Sequence, residues 1–122
     1  MNVNDLMFSP GPAIYYDEDF RNVIEDHISA LLRDSRTISI SIDSAMAYKY
    51  EFNLYALLNE LQISPFKHWI ILRMNGYRSP TEVDTTVEQL YIPDQTVLNQ
   101  IVQSHRSIRK VIWYKKKKRI GI

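Results

Sequence analysis

An α+β fold is expected for this 122-residue chain, and three features of the sequence point to it. Residues Phe20 to Leu32 repeat apolar side chains at helical spacing. Residues Thr37 to Ile42 alternate isoleucine with serine at the period of a strand. The stops Ser64-Pro65, Asn75-Gly76 and Pro93-Asp94 then cut the remainder into short elements. At this length one domain is expected, with arms at its ends, and a chain of that size supports one modest core without staples.

The elements follow in order. Ser9-Pro10-Gly11-Pro12 is a turn cluster with no helix potential, so residues 1–16 read as an arm. Asp17 is a good N-cap, and Glu18 and Asp19 stand in the first turn, where the helix dipole favours negative charge. Phe20, Val23, Ile24, His27, Ile28, Leu31 and Leu32 make the apolar stripe of a helix ending near Asp34. Ile38, Ile40 and Ile42 line one side of a half-buried strand. After Asp43-Ser44 a second alternating run puts Met46, Tyr48, Tyr50 and Phe52 on one face, as a hairpin partner or as one long bent strand. Asn53 caps a short helix with Leu54, Leu57, Leu58 and Leu61 inward. Ser64-Pro65 starts another, carrying Phe66, Trp69, Ile70, Leu72 and Met74 to a stop at Asn75-Gly76. A polar loop spans 77–88, Leu90 to Pro93 is a short strand, and Asp94 caps a helix with Val97, Leu98, Ile101, Val102, His105 and Ile108. Val111 to Tyr114 reads as a last strand, before Lys115-Lys116-Lys117-Lys118-Arg119. The expected core is Phe20, Ile24, Ile28, Leu31, Leu54, Leu58, Leu61, Trp69, Ile70, Leu72, Leu90 and Ile92.

Composition excludes several classes of chemistry. There is no cysteine, hence no disulfide, thiolate metal site, Fe–S ligation or cysteine nucleophile. The longest apolar run falls far short of the ~20 residues of a membrane span, and the N-terminus has no basic flank before an apolar stretch. A soluble chain without an export signal is expected. The net charge of +1 hides an asymmetry: residues 1–60 carry ten acids and four bases, and residues 61–122 carry four acids and eleven bases. Such a layout favours docking on complementary neighbours, copies of the chain included.

Little in the sequence carries reaction chemistry. His27, His68 and His105 fall on three separate helices at no metal-ligand spacing. The acids Asp17, Glu18, Asp19, Glu25 and Asp26 are accounted for by capping and dipole stabilisation rather than by a catalytic pair. Three glycines, at 11, 76 and 121, build no phosphate loop. No catalytic, cofactor-binding or metal residue is expected, and the chain is not expected to be an enzyme. Tyr48, Tyr50 and Phe52 with Tyr55 could stack on sugars or bases, but an aromatic strand face turned to the core or to a partner is the favoured reading. From Arg106 to Arg119 the chain has eight bases and no acid. Read as a basic edge strand, this tail docks on an acidic neighbour; a solvated tail ranks next and phosphate contact last.

Residues 48–93 carry a recognisable order: a strand into Leu54-Tyr55-Ala56-Leu57-Leu58, the break Leu61-Gln62-Ile63-Ser64, a second helix stopping at Asn75-Gly76, a loop with Ser79-Pro80 and Val83, and a closing Leu90-Tyr91-Ile92-Pro93. This resembles the LysM module, a strand–helix–helix–strand unit. With the apolar segment His68-Trp69-Ile70-Ile71-Leu72-Arg73-Met74, it is similar in particular to small baseplate proteins of contractile-tailed phages, which carry a degenerate LysM-like region. Glycan-binding members have a G-D-T turn and a P-G-x turn as groove walls; here Glu51-Phe52-Asn53 and Thr86-Val87-Glu88-Gln89 stand in those places. Side chains there would keep a sugar from the backbone.

The resemblance implies a LysM-like core over residues 45–95. An N-terminal arm (1–16), an N-terminal helix and strand (17–44) and a C-terminal helix and basic tail (96–122) would surround it. It implies a structural subunit of a phage tail, a baseplate wedge component made in the host cytoplasm and resident in the virion. Other tail or baseplate subunits would be its partners, with several contacts per chain and no membrane contact. Recognition of N-acetylglucosamine polymers is the second reading and nucleic-acid binding the third. The residues expected to meet partners are Tyr15, Tyr16, Tyr48, Tyr50, Trp113, Tyr114, Lys115, Lys116, Lys117, Lys118 and Arg119. Residues 1–16 and 111–122 are expected to be disordered in the isolated chain.

Overall fold

The structure is a computed structural model; it describes the backbone over residues 13–119 and side chains over residues 13–108. The chain is mixed helix and strand, and mostly helical, which places it in the α+β class. After a 3-10 turn at Ala13–Tyr16 come α1 (Glu18–Arg33), β1 (Ile38–Ser41), α2 (Ser44–Lys49), α3 (Leu54–Glu60), α4 (His68–Met74), β2 (Gln89–Ile92) and α5 (Gln95–Arg119).

Helix α1 starts where its cap residue dictates. The Asp17 carboxylate accepts the Asp19 N–H at 2.8 Å, and Glu18 and Asp19 occupy the first turn. Its stripe turns Phe20, Ile24 and Leu31 inward, with Ile28 half-buried. At its far end Asp34 accepts the Arg36 N–H at 2.8 Å and the Arg36 guanidinium at 3.1 Å. These hydrogen bonds hold the Asp34 carboxyl below the usual carboxylate range.

Strands β1 and β2 pair antiparallel, with Ile38 opposite Ile92, Ser39 opposite Tyr91, Ile40 opposite Leu90 and Ser41 opposite Gln89. Opposite residues share a face, so Ile40, Leu90 and Ile92 turn to the core while Ser39, Ser41, Gln89 and Tyr91 form a polar outer face. Ser39 Oγ donates to Gln89 Oε1, and Gln89 Nε2 to the Tyr91 hydroxyl, each at 2.9 Å. The outward edge of β2 is already closed by Asn75. Its Nδ2 donates to the Tyr91 carbonyl at 3.0 Å, and its Oδ1 accepts the Tyr91 N–H at 2.8 Å. This side-chain amide stands in for a third strand and joins the end of α4 to the sheet.

Two expected strands are helical instead. The run Met46 to Phe52 begins in α2, not in a strand. Asp43 accepts the Met46 N–H at 2.8 Å and caps that helix, and Ala45-Met46-Ala47 are good helix formers. Met46 and Tyr50 are four apart, a spacing that keeps two residues on one face in a helix and in a strand alike. Tyr48 discriminates: on a strand it would lie beside them, and here it is 75% exposed. Val111 to Tyr114 is likewise helix, as α5 runs unbroken to Arg119. No glycine or proline stands between Ile108 and Arg119 to stop it, and the lysines at its end suit the negative pole of the helix dipole. The basic edge strand therefore does not exist.

Between α2 and α4 the backbone turns twice through left-handed conformations, at Phe52 (φ 62°) and Gln62 (φ 61°). Asn53 caps α3 by accepting the Ala56 N–H at 3.2 Å. Ser64 makes no capping bond; Pro65–Lys67 is a 3-10 turn leading into α4. Gly76 (φ 82°) ends α4, and open space surrounds its missing Cβ, so the positive φ is what requires glycine there.

Two clusters make the core, and α4 belongs to both. Ile71 and Leu72 join Ile42, Ala47, Leu54, Leu57, Leu58, Val83, Leu90 and Ile92 beneath the sheet. Ile70 and Met74 join Tyr15, Phe20, Ile24, Leu31, Leu98, Ile101 and Val102, which tie α1 and α5 to the body. A helix buried on most sides is apolar nearly all round, as residues 68–74 are. Of the expected core, Ile28, Leu61 and Trp69 are only partly buried. Trp69 lies under the Arg21 guanidinium, 5.1 Å from ring centroid to Cζ.

Candidate interaction surface

Three surface features follow from this fold. The first is aromatic. Tyr48, on the outer side of α2, and Phe52, 57% exposed, stand four residues apart. Phe52 holds a left-handed backbone, which costs a bulky residue of order 1–3 kcal/mol. Its N–H donates to the Val83 carbonyl at 2.7 Å, which holds the loop in place. An exposed aromatic fixed on a strained, braced turn is pre-organised for contact.

The second feature is a groove of about 380 Å³ between α1 and α5. Val23, Ala30, Leu31, Val97, Ile101 and Ile108 make its apolar walls. His27, Asp34, Gln100, Ser104 and His105 supply its polar points. Neither helix shows this groove alone; the packing of Phe20 against His105, ring centroids 5.6 Å apart, brings together residues some eighty positions apart in sequence. His27 Nδ1 is 2.7 Å from the Val23 carbonyl in its own helix. His105 is buried, and its Nε2 finds no hydrogen-bond partner among the described residues. Ile108, at the groove's end, is 59% exposed.

The third feature is α5 itself. At 1.5 Å per residue its 25 residues extend about 37 Å. Its described buried residues end at His105, and eight bases lie from Arg106 onward.

The expected partner-contact residues divide accordingly. Tyr15 is a core residue rather than a surface one: it is 4% exposed, packs on Phe20 at 5.4 Å and Phe66 at 4.6 Å, and its hydroxyl accepts from Gln95 Nε2 at 3.4 Å. Burial pushes its phenol pKa up, against the Gln95 hydrogen bond and the charge of Arg106. Residues 13–16 thus belong to the body rather than to an arm; residues 1–12 lie outside the described residues. Tyr16 is exposed with Arg21 over its ring, and Tyr50 is half-buried against the core beneath the sheet. Trp113, Tyr114, Lys115, Lys116, Lys117, Lys118 and Arg119 lie on the helical backbone of α5, their side chains outside the described residues.

The loops that would wall a sugar groove meet each other through the Phe52–Val83 hydrogen bond. Val83 between them is fully buried. His68 is also buried, its Nε2 2.8 Å from the Ile63 carbonyl; burial lowers its pKa and that hydrogen bond partly restores it. Among the described residues no group of three or more histidines and carboxylates could hold a metal ion, and no helix is long and apolar enough to cross a membrane. No family model matches the chain, and no curated protein or solved structure matches it either.

Proposed function

We infer that the chain is a non-enzymatic structural subunit of a contractile phage tail, a baseplate wedge component that works by burying its surface against neighbours. The observation that carries this reading is the distribution of exposed apolar groups. Tyr48 on α2 and Phe52 on the turn after it are both exposed, and so is Ile108 at the end of the α1–α5 groove. Scattered single apolar residues would need no explanation, but an exposed aromatic on a braced turn and an apolar groove together ask for partners. Assembly in the virion baseplate supplies them.

The LysM-like kinship has support from element order. One strand, the helices α3 and α4, and a closing antiparallel strand succeed each other, with α2 interposed. The opening strand is β1 at residues 38–41, ten residues before the position the resemblance implies. The contact between the 51–55 and 77–89 segments supports a packing role for this unit over a glycan-binding one.

The test uses the full chain. Detection in purified contractile-tail particles, with no retention on insoluble peptidoglycan or chitin, is the expected result. Retention on the glycan and absence from particles would overturn the reading in favour of a carbohydrate-binding module. A gel shift that persists at about 150 mM salt would instead make the basic half of α5 a nucleic-acid contact.

A further inference from the structure

We propose that the α1–α5 groove receives α5 of a second copy of this chain, the two α5 helices running antiparallel and crossing near Ser104. This rests on the reading of the chain as an assembly subunit and names one partner of its groove surface.

The groove face of α5 repeats every three and four residues: Val97, Ile101, Ser104, Ile108. Val111 continues the same spacing on the helical backbone, and Lys115 follows it. Such a 4-3 repeat is the seam of helices that pair lengthwise. The wall of α1 has the same spacing at Val23, His27, Ala30 and Asp34. Two copies brought face to face therefore align four stripes of one period, the layout of a four-helix bundle. Ser104 is the small residue midway, where two helices can approach most closely.

Charge sets the direction. From Gln95 to Ser104, α5 has no charged side chain, and from Arg106 to Arg119 it has eight bases and no acid. Parallel helices would lay one basic half on the other. Antiparallel helices lay each basic half beside the uncharged half of its mate, toward Asp94 at that helix's cap, with Arg36 and Lys67 the cations near it; Asp34 at the end of the groove is already ion-paired with Arg36. In that arrangement Val97 and Ile101 of one copy lie level with Val111 and Ile108 of the other. The exposed Ile108 is then covered. An apolar seam ending in an exposed isoleucine is costly when open to water, and a mate that closes over it removes that cost.

The experiment uses the full chain, whose lack of cysteine allows single thiols to be placed. Sedimentation equilibrium of the wild-type chain is expected to give twice the 14.4 kDa chain mass at micromolar concentration. Ile108→Glu, at an exposed position that leaves the far-UV spectrum unchanged, is expected to weaken the pair about tenfold or more. Chains bearing Val97→Cys mixed with chains bearing Val111→Cys are expected to cross-link through a short bis-maleimide, whereas Val97→Cys alone is not. A chain monomeric up to about 100 µM overturns the pairing. So does a dimer indifferent to Ile108→Glu, or one in which Val97→Cys links to itself as well as to Val111→Cys. Each of those results leaves detection in tail particles unaffected, so the pairing and the assembly reading fail separately.

Discussion

Replacing Tyr15 by alanine tests whether the segment before α1 belongs to the body. The ring sits between Phe20 and Phe66 and is almost wholly buried. A buried aromatic side chain removes about 150–250 Å² from water, worth roughly 4–6 kcal/mol at about 25 cal/mol per Å². Residual burial in the unfolded chain and the β-carbon that alanine retains reduce that to about 3–4 kcal/mol, in line with aromatic-to-alanine changes in cores. Tyr15→Phe removes only the hydroxyl, whose bond from Gln95 is long at 3.4 Å, and should cost below about 1 kcal/mol. In urea, with a slope of about 1.5–2 kcal/mol per molar for a chain of this size, the alanine variant should unfold roughly 2 M earlier than wild type and the phenylalanine variant close to it. A loss under about 1 kcal/mol for Tyr15→Ala would show that residues 13–16 are held elsewhere, and the inclusion of this segment in the core would fail.

Further expectations concern single groups. Asp43→Ala should cost about 1 kcal/mol through loss of the α2 cap, measured by denaturant unfolding; no loss would mean that residues 44–49 do not need a helix start. Asn75→Ala opens the edge of β2 and should cost about 1–3 kcal/mol, with faster amide exchange at Tyr91 as its local signature. Gln62→Gly relieves the positive φ and should stabilise by about 0.5–1 kcal/mol, whereas destabilisation would show that the Gln62 side chain matters more than its backbone. His68 is buried with its pKa below the ordinary 6.5, so the unfolded chain binds more protons there than the folded one. Stability from this group is complete above 6.5 and falls as pH drops below it, by at most about 1.4 kcal/mol per pH unit, until the folded pKa is passed. His68→Gln should flatten that part of the pH profile; an unchanged slope would place its origin elsewhere.

The sequence was legible where one period ran long enough to exclude the other. Helix α1 shows its stripe over four turns behind a clear cap, and it forms where expected. The Ile-Ser run forms β1, although Ile38 at its start remains exposed. Residues 46–52 misled because spacings of four fit both periods, and the capping carboxylate of Asp43 decided the matter locally. Residues 111–114 misled because β-branched and aromatic side chains suggest a strand, while an uninterrupted helix already under way continues through them at little cost. Tyr15 read as part of an arm because a proline-glycine turn precedes it; its burial depends on Phe66, some fifty residues away. The groove was beyond sequence reading for the same reason. Val23, His27 and Asp34 become neighbours of Ile101 and His105 only once α1 and α5 pack on α4, and no local pattern encodes that juxtaposition. The exposed aromatics are half legible: alternation picks out Tyr48, but on one face with Tyr50, which packs against the core at the end of α2.

Solvent protection of named side chains, compared between the free chain and the chain in purified tail particles, tests the central claim most directly. Hydroxyl-radical footprinting reads Tyr48, Phe52 and Ile108 in one experiment. The account expects all three to react freely in the dilute chain and to be shielded in the particle. Equal reactivity in both states would mean that these faces meet no neighbour, and would contradict it.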